Sequence, residues 1–174
     1  MIRHKLIQQT VASLLEQAGI TSPGFDVRYL AERKGAIVVE EPNENDFSGF
    51  LYRSSDSPPV IGVNANHAPT RKRFTIAHEL GHLLLHSKSG VHVDQAIVMM
   101  RDARASSGVD EDEIEANRFA AELLIPRDFL EADLEALGPI HADDERAIAN
   151  LAKKYRVSPQ AMAIRLSSLH LVWM

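Results

Sequence analysis

Hydrophobic positions recur along the chain in two rhythms, and the switches between them outline the elements. Near the N-terminus Ile2, Leu6, Ile7, Val11, Leu14 and Leu15 fall on one side of a helix, while Gln8, Gln9, Thr10, Ser13, Glu16 and Gln17 interrupt them with polar groups. A turn-rich break from Gly19 to Gly24 follows, and Asp26 to Lys34 predicts a short second helix stopped by Gly35. The period then shortens. Ala36 to Glu40, Ser48 to Arg53 and Val60 to Asn64 predict three strands, separated by EPNEND and SSDSPP, whose Pro, Asn, Asp and Ser content marks turns. Short connections of this kind favour antiparallel neighbours.

Helical periodicity returns at RKRFTIAHELGHLLLHS, introduced by Pro69 and Thr70, with Thr70 as the expected N-cap. Residues 88–109 are mixed: AIVMM (Ala96 to Met100) predicts a strand and ARASSG a flexible link. A further helix is expected from about Asp110 to Leu124, ended by Pro126. From about Asp143 to Leu169 the chain predicts two helices around a tight turn at Val157-Ser158-Pro159, with Ser158 as N-cap and Pro159 at the first helical position. No internal repeat interrupts this order. The fold class is α+β.

Composition narrows the setting. With 174 residues, 45% hydrophobic and 25% charged, the chain suits one ordinary globular domain, or a domain with a small appendage. No apolar run approaches the roughly 20 residues of a membrane-spanning helix, and the amphipathic N-terminal helix is not a secretion signal. The expected compartment is the cytoplasm. Cysteine is absent, so any metal must be held by histidine and carboxylate. A net charge of −5 runs against non-specific nucleic-acid binding by the whole surface.

The informative chemistry is His78-Glu79-Leu80-Gly81-His82, an H-E-x-x-H pattern on a predicted helix. Residues four apart share a helix face about 6 Å apart along the axis, so two imidazoles there can converge on one Zn2+ at roughly 2.0–2.1 Å each. Glu79 is turned about 100° from His78; it flanks the metal, where a general base for the attacking water belongs. Phe74, Ala77, His78, Gly81, His82 and Leu85 form one stripe, so both histidines point inward. Gly81 costs about 1 kcal/mol relative to Ala in a helix, which marks a close approach at that point. The plainer reading of the same residues is two buried histidines satisfied by hydrogen bonds, with Glu79 on a solvated flank.

A catalytic zinc site takes three protein ligands and keeps a fourth position for water. The best source of the third is DEDEIEANRFAAELLIP. There Glu113, Ala116, Asn117, Ala120 and Leu124 form a small-to-apolar stripe, and Glu115, Arg118 and Glu122 a polar one with an i, i+3 charge pair between the first two. A carboxylate beside alanines that permit close helix approach selects Glu113, with Glu115 as the fallback. Glu113 also stands at capping-box spacing from Asp110. Asn117, one turn on, is placed to orient a ligand histidine. His86 lies too far along an unbroken helix to share the metal with His82 and reads as a supporting group or a partner of the helix C-terminus. His67 and His92 are candidate stabilisers of a substrate oxyanion; His4, His141 and His170 read as surface residues.

On RFTIAHELGHLLLH (Arg73 to His86) and EIEANRFAAELLIP (Glu113 to Pro126), the chain resembles the ImmA/IrrE family of metallopeptidases. The VIGVN strand and LAKKYRVSPQAMAIRLSSL (Leu151 to Leu169) extend the likeness over most of the chain. The resemblance implies a zincin-like fold with a small mixed or antiparallel sheet packed on the metal helix. It implies zinc held by His78, His82 and the glutamate of the E-x-x-A-N pattern, Glu113 here, with Glu79 as base. It also implies the partner: a helix-turn-helix repressor of the Xre type, cleaved to relieve transcriptional repression in stress or mobile-element induction. The family's usual LLMP is LLIP here, an apolar exchange at Ile125. Some longer relatives carry a sensor-like domain, for which this chain has no room.

The chain is thus expected to divide into a metallopeptidase domain at 1–138 and helix-turn-helix-like helices at 139–174. In 143–169 five basic side chains stand against three acidic ones. The second helix offers mainly Gln160, Arg165, Ser167 and Ser168, few groups for reading bases or neutralising phosphates. Packing or repressor docking is the simpler use of these helices than DNA contact. An extended substrate segment is expected to pair with a sheet edge near the metal helix, the Val60 to Asn64 strand. The competing readings are a DNA- or protein-binding regulator with a structural or degenerate metal site, and a zinc hydrolase acting on a non-peptide amide.

Overall fold

A computed structural model describes residues 1–87, 90–94, 111–138 and 140–173. Its elements in chain order are α1 (His4–Gln17), α2 (Val27–Arg33), β1 (Ile37–Glu41), β2 (Gly49–Arg53), β3 (Val60–Asn64), α3 (Pro69–Leu85), β4 (Gly90–Asp94), α4 (Glu111–Leu124), α5 (Arg127–Leu137), β5 (Ile140–His141), α6 (Glu145–Tyr155), α7 (Pro159–Ser168) and β6 (Val172–Trp173). The fold is mixed α+β, with seven helices and a four-stranded sheet among the described residues. No helix among them is long and apolar enough to cross a membrane.

The sheet runs β1-β3-β2-β4. β1 pairs with β3 in parallel, and β2 is antiparallel to both β3 and β4. Short connections favour antiparallel neighbours but do not fix the order, and β1 and β2, successive along the chain, are not neighbours here. Burial explains the order. β3 is the most enclosed strand, with Ile61, Gly62, Val63 and Asn64 all buried, whereas β1 buries only Val38. A strand enclosed on both faces belongs in the middle of a sheet, so β3 takes a central place. This also corrects the substrate edge. β3 has partners on both sides, and among the described residues β1 and β4 are the edges.

α3 is held between the sheet and α4, and its stretch from Arg73 to His82 is buried on every side. The helix begins earlier than expected: Ala68 is the N-cap and Pro69 occupies the first turn, where a fixed φ and a missing N–H cost nothing. Asp26 caps α2 by accepting from the Arg28 amide, and Ser158 caps α7 by accepting from the Ala161 amide. One apolar cluster extends from Ile7 on α1 through Leu30, Ile61, Leu80 and Leu123 to Leu151 and Leu166 on the C-terminal helices.

Four elements were not legible in the pattern: β4, α5, β5 and β6. α5 follows directly on Pro126 and buries Leu130, and the short β5–β6 pair ties Ile140 to Val172. β4 precedes the AIVMM run, which lies outside the described residues, as do ARASSG and Asp110.

Candidate metal centre

The site is assembled from α3, α4 and β4. His78 and His82, one turn apart on α3, bring their Nε2 atoms to 3.0 Å of each other. From α4, Glu113 places Oε2 3.4 Å from His78 Nε2 and Oε1 3.0 Å from His82 Nε2. Two helices thus bring three potential donors to one point. Close approach of α4 is what permits it: a Cβ on Gly81 would lie 3.0 Å from Phe119 Cδ1 and 3.2 Å from Ala116 Cα. The glycine and the alanine stripe of α4 face each other.

Hydrogen bonding fixes which nitrogens face the centre. His78 Nδ1–H donates to Asn117 Oδ1 at 3.0 Å, and a neutral imidazole has only one N–H, so Nε2 presents a lone pair. Burial holds the His82 imidazole below its ordinary pKa, partly opposed by Glu113, and keeps it neutral and ligand-competent. For Glu113, burial works against ionisation, but contacts with His78, His82 and His92 prevail and hold its carboxyl well below the usual carboxylate range. A lone pair, a neutral imidazole and an anion therefore meet in a partly enclosed space. Ligands at roughly 2.0–2.1 Å in a tetrahedron stand about 3.3–3.4 Å apart, close to the separations found. The donor set fits a metal ion.

Glu79 is fully buried, so the alternative of a solvated flank does not hold. Arg53, whose own pKa is lowered by burial, interacts with the Glu79 charge and donates to the carbonyl of His86. His86 caps the end of α3 and touches His82, Nδ1 to Nδ1, at 3.1 Å.

Glu115 departs from expectation. Placed by periodicity on a polar stripe, it is only 2% exposed. It accepts from the Arg3 backbone amide at 2.7 Å and from its guanidinium, and it approaches His86 Nε2 at 3.1 Å. The tertiary fold covers that stripe with the N-terminal segment, where Arg118 meets His4, and with α7, where Glu122 meets Arg165. The Arg3 hydrogen bond leads the lowering of the Glu115 pKa, to about 2.

Of the two other histidines, His67 is fixed in the loop after β3, its Nε2 3.1 Å from the Asn45 carbonyl. His92 on β4 instead joins the centre, with Nε2 2.8 Å from Glu113 Oε1 and its ring 4.2 Å from that of His82. The four groups His78, His82, His92 and Glu113 together have the donor geometry to hold a metal ion. Sequence periodicity gave His92 no special rank. Strand alternation was no guide, since it turns His92 away from Val91, and it is Val91 that is exposed while His92 faces the centre. His4, His141 and His170 are exposed, as expected.

Comparison with known proteins gives the family. The profile of the IrrE N-terminal-like domain, of the M78 peptidases, matches residues 31–167. The chain is 30% identical over 148 residues to the radiation response metalloprotease IrrE of Deinococcus radiodurans, covering 83% of this chain and 37% of that protein. It is 29% identical over 123 residues to uncharacterized immunity region protein 2 of Bacillus phage phi105, covering 71% and 70% respectively. A Mycobacterium tuberculosis transcriptional regulator shares the fold at a TM-score of 0.61 and 23% identity, over 92% of this chain and 46% of that one. The chain thus spans less than half the length of IrrE and of that regulator. A profile that matches most of the chain and includes both helices of the centre identifies it: the chain belongs to the ImmA/IrrE family of M78 metallopeptidases.

Proposed function

We propose that the chain is a zinc-dependent endopeptidase of the cytoplasm that cleaves a helix-turn-helix repressor of the Xre type. In this reading His78, His82 and Glu113 hold the zinc and Glu79 is the general base. Residues 1–138 form the zincin-like peptidase unit, and 139–174 a helix-turn-helix-like appendage that supports it or docks the repressor. The observation that carries the reading is the convergence of three potential donors from α3 and α4 beside a fully buried Glu79. Family membership supports the metal and the peptidase class, and the phage immunity-region relative supports a regulator as substrate.

When bound, the metal supplies Lewis acidity, polarising the scissile carbonyl and lowering the pKa of a water towards about 7. A Glu79 carboxylate oxygen accepts the proton of that water as its oxygen adds to the carbonyl carbon. The same carboxyl then delivers the proton to the amine nitrogen as the C–N bond breaks. Asn117 holds the His78 ring in its metal-facing tautomer. An extended substrate segment adds to the edge at β4, where main-chain hydrogen bonds can place a peptide alongside α3. Direct DNA contact by α7 has little support, because Arg165, the helix's one basic side chain, is buried against Glu122 and the Ile125 carbonyl.

One observation favours a second reading. With His92 the centre offers four donors, the number a closed structural zinc site uses, which would suit a binding regulator. Incubation of zinc-loaded protein with its candidate repressor separates the two. The peptidase reading expects a discrete fragment whose formation falls about 10²–10⁴-fold in Glu79→Gln, with zinc content unchanged. Regulatory activity that survives in Glu79→Gln, with no fragment in either protein, would support the regulator.

A further inference from the structure

Behind the donor atoms lies a file of polar groups that the hydrolytic reading leaves unused. His82 and His86 meet Nδ1 to Nδ1 at 3.1 Å. His86 Nε2 lies 3.1 Å from Glu115 Oε2, and Asp112 Oδ1 is a second carboxylate facing that nitrogen at 3.6 Å. Arg3 closes the file, its Nε donating to Glu115 Oε1 at 3.0 Å and to Oε2 at 3.1 Å, and its backbone N–H to Oε1. His86 is 8% exposed and Glu115 2%.

The direction of each hydrogen bond follows from the one before it. A neutral imidazole carries one N–H. With His82 Nε2 in the donor set, its hydrogen must be on Nδ1, which donates to the lone pair of His86 Nδ1. The His86 hydrogen is then on Nε2, which donates to Glu115. Carboxylates at the far end can accept without needing a further acceptor, and Glu115 is the nearer of the two, at 3.1 Å against 3.6 Å for Asp112. His78 is backed differently: its Nδ1–H ends after one step on the neutral amide oxygen of Asn117.

We propose that Glu115, held by Arg3, is a positioning residue that acts on the metal through His86 and His82. It fixes the tautomer of both rings and draws the His82 Nδ1 hydrogen outward, which raises the electron density at Nε2. The N-terminal residues before α1 thereby become part of the machinery that holds the ion. This inference rests on the assignment of His82 as a ligand.

The test uses the full chain and zinc affinity measured by competition with a chromogenic chelator, with folding of the metal-free protein followed by circular dichroism. Glu115→Gln keeps the shape and removes the charge. It is expected to weaken zinc binding about 10–100-fold while a single ion still binds. His86→Phe, placed past the end of α3, should have an effect of similar size. The double variant should be no weaker than the weaker single variant, because both changes cut the same file. Asn117→Ala, which acts on the other histidine, should add its effect in full to that of Glu115→Gln. Wild-type affinity in folded Glu115→Gln, or in folded His86→Phe, would overturn the proposal, and so would additive effects of the two. Wild-type affinity in His82→Ala would instead remove the ligand assignment, and the relay with it. Loss of zinc in His82→Ala beside full affinity in Glu115→Gln would overturn the relay alone.

Discussion

The α3–α4 contact and the α6–α7 pair treat buried polar groups in opposite ways. In the C-terminal pair the interior is Ile148, Leu151, Ala152, Tyr155, Met162 and Leu166. The buried charge there, Arg165, is answered within the protein by Glu122 at 2.6 Å and by the Ile125 carbonyl. Between α3 and α4 the protein buries His78, Glu79, His82, His86 and Glu115 together. Glu115 is answered by Arg3, but the donor atoms of His78, His82 and Glu113 face one another. Donor atoms converging on one point in this way fit a metal ion. The C-terminal pair turns its buried charge onto its own neighbours; the central pair turns its donors towards a common point.

Four experiments bear on that contrast, the largest effect first. His82→Ala removes one donor from the central pair. Zinc affinity should fall by well over the roughly 100-fold that a merely supporting residue accounts for, with the helical content preserved. Chelator competition and circular dichroism measure the two. An equally large loss of zinc on altering the C-terminal pair would break the comparison.

Leu166→Ala makes the converse change. Its side chain is fully buried, and the deletion should cost about 2–5 kcal/mol of folding stability in urea titration. Zinc affinity of the folded protein should stay at the wild-type value.

Gly81→Ala tests how tightly the central helices depend on each other. The new methyl would press on Phe119 and on the Ala116 backbone, costing about 1–3 kcal/mol. Because Glu113 and Asn117 ride on α4, zinc affinity should fall as well. A stability loss with unchanged affinity would show the donors to be less coupled to helix spacing than the geometry requires.

The smallest effect concerns Tyr155. Burial, with the neighbouring Asp133 carboxylate, pushes its phenol pKa above the ordinary 10.0. A pKa raised on folding contributes stability that is complete below the unfolded value and is lost as pH rises through and beyond it. Unfolding measured from neutral pH upward should therefore show stability falling above about pH 10. Tyr155→Phe should flatten that alkaline limb and leave zinc affinity at neutral pH unchanged.

The sequence by itself determined the helices that bear the chemistry. The 3.6-residue stripe through Phe74, His78, His82 and Leu85 is a local property, and so is the four-residue step that places two imidazoles on one face. The Ser158 cap was equally legible, because a short polar side chain meets an amide only three residues away; Asp26, read as the first residue of its helix, is its cap instead. Glu113 was selected over Glu115 by the alanines around it, and the fold brings that residue to the two histidines.

What only tertiary structure decided involves partners far apart in the chain. The strand order depends on which strand is enclosed on both faces, and turn lengths alone do not report that. Glu115 reads as a surface residue in its own helix and becomes buried because Arg3, 112 positions away, closes over it. His92 gains meaning only when β4 pairs with β2 and carries it over Glu113. Periodicity records which face of an element is apolar. It cannot record what will cover the other face, because that depends on contacts made only when the whole chain is packed.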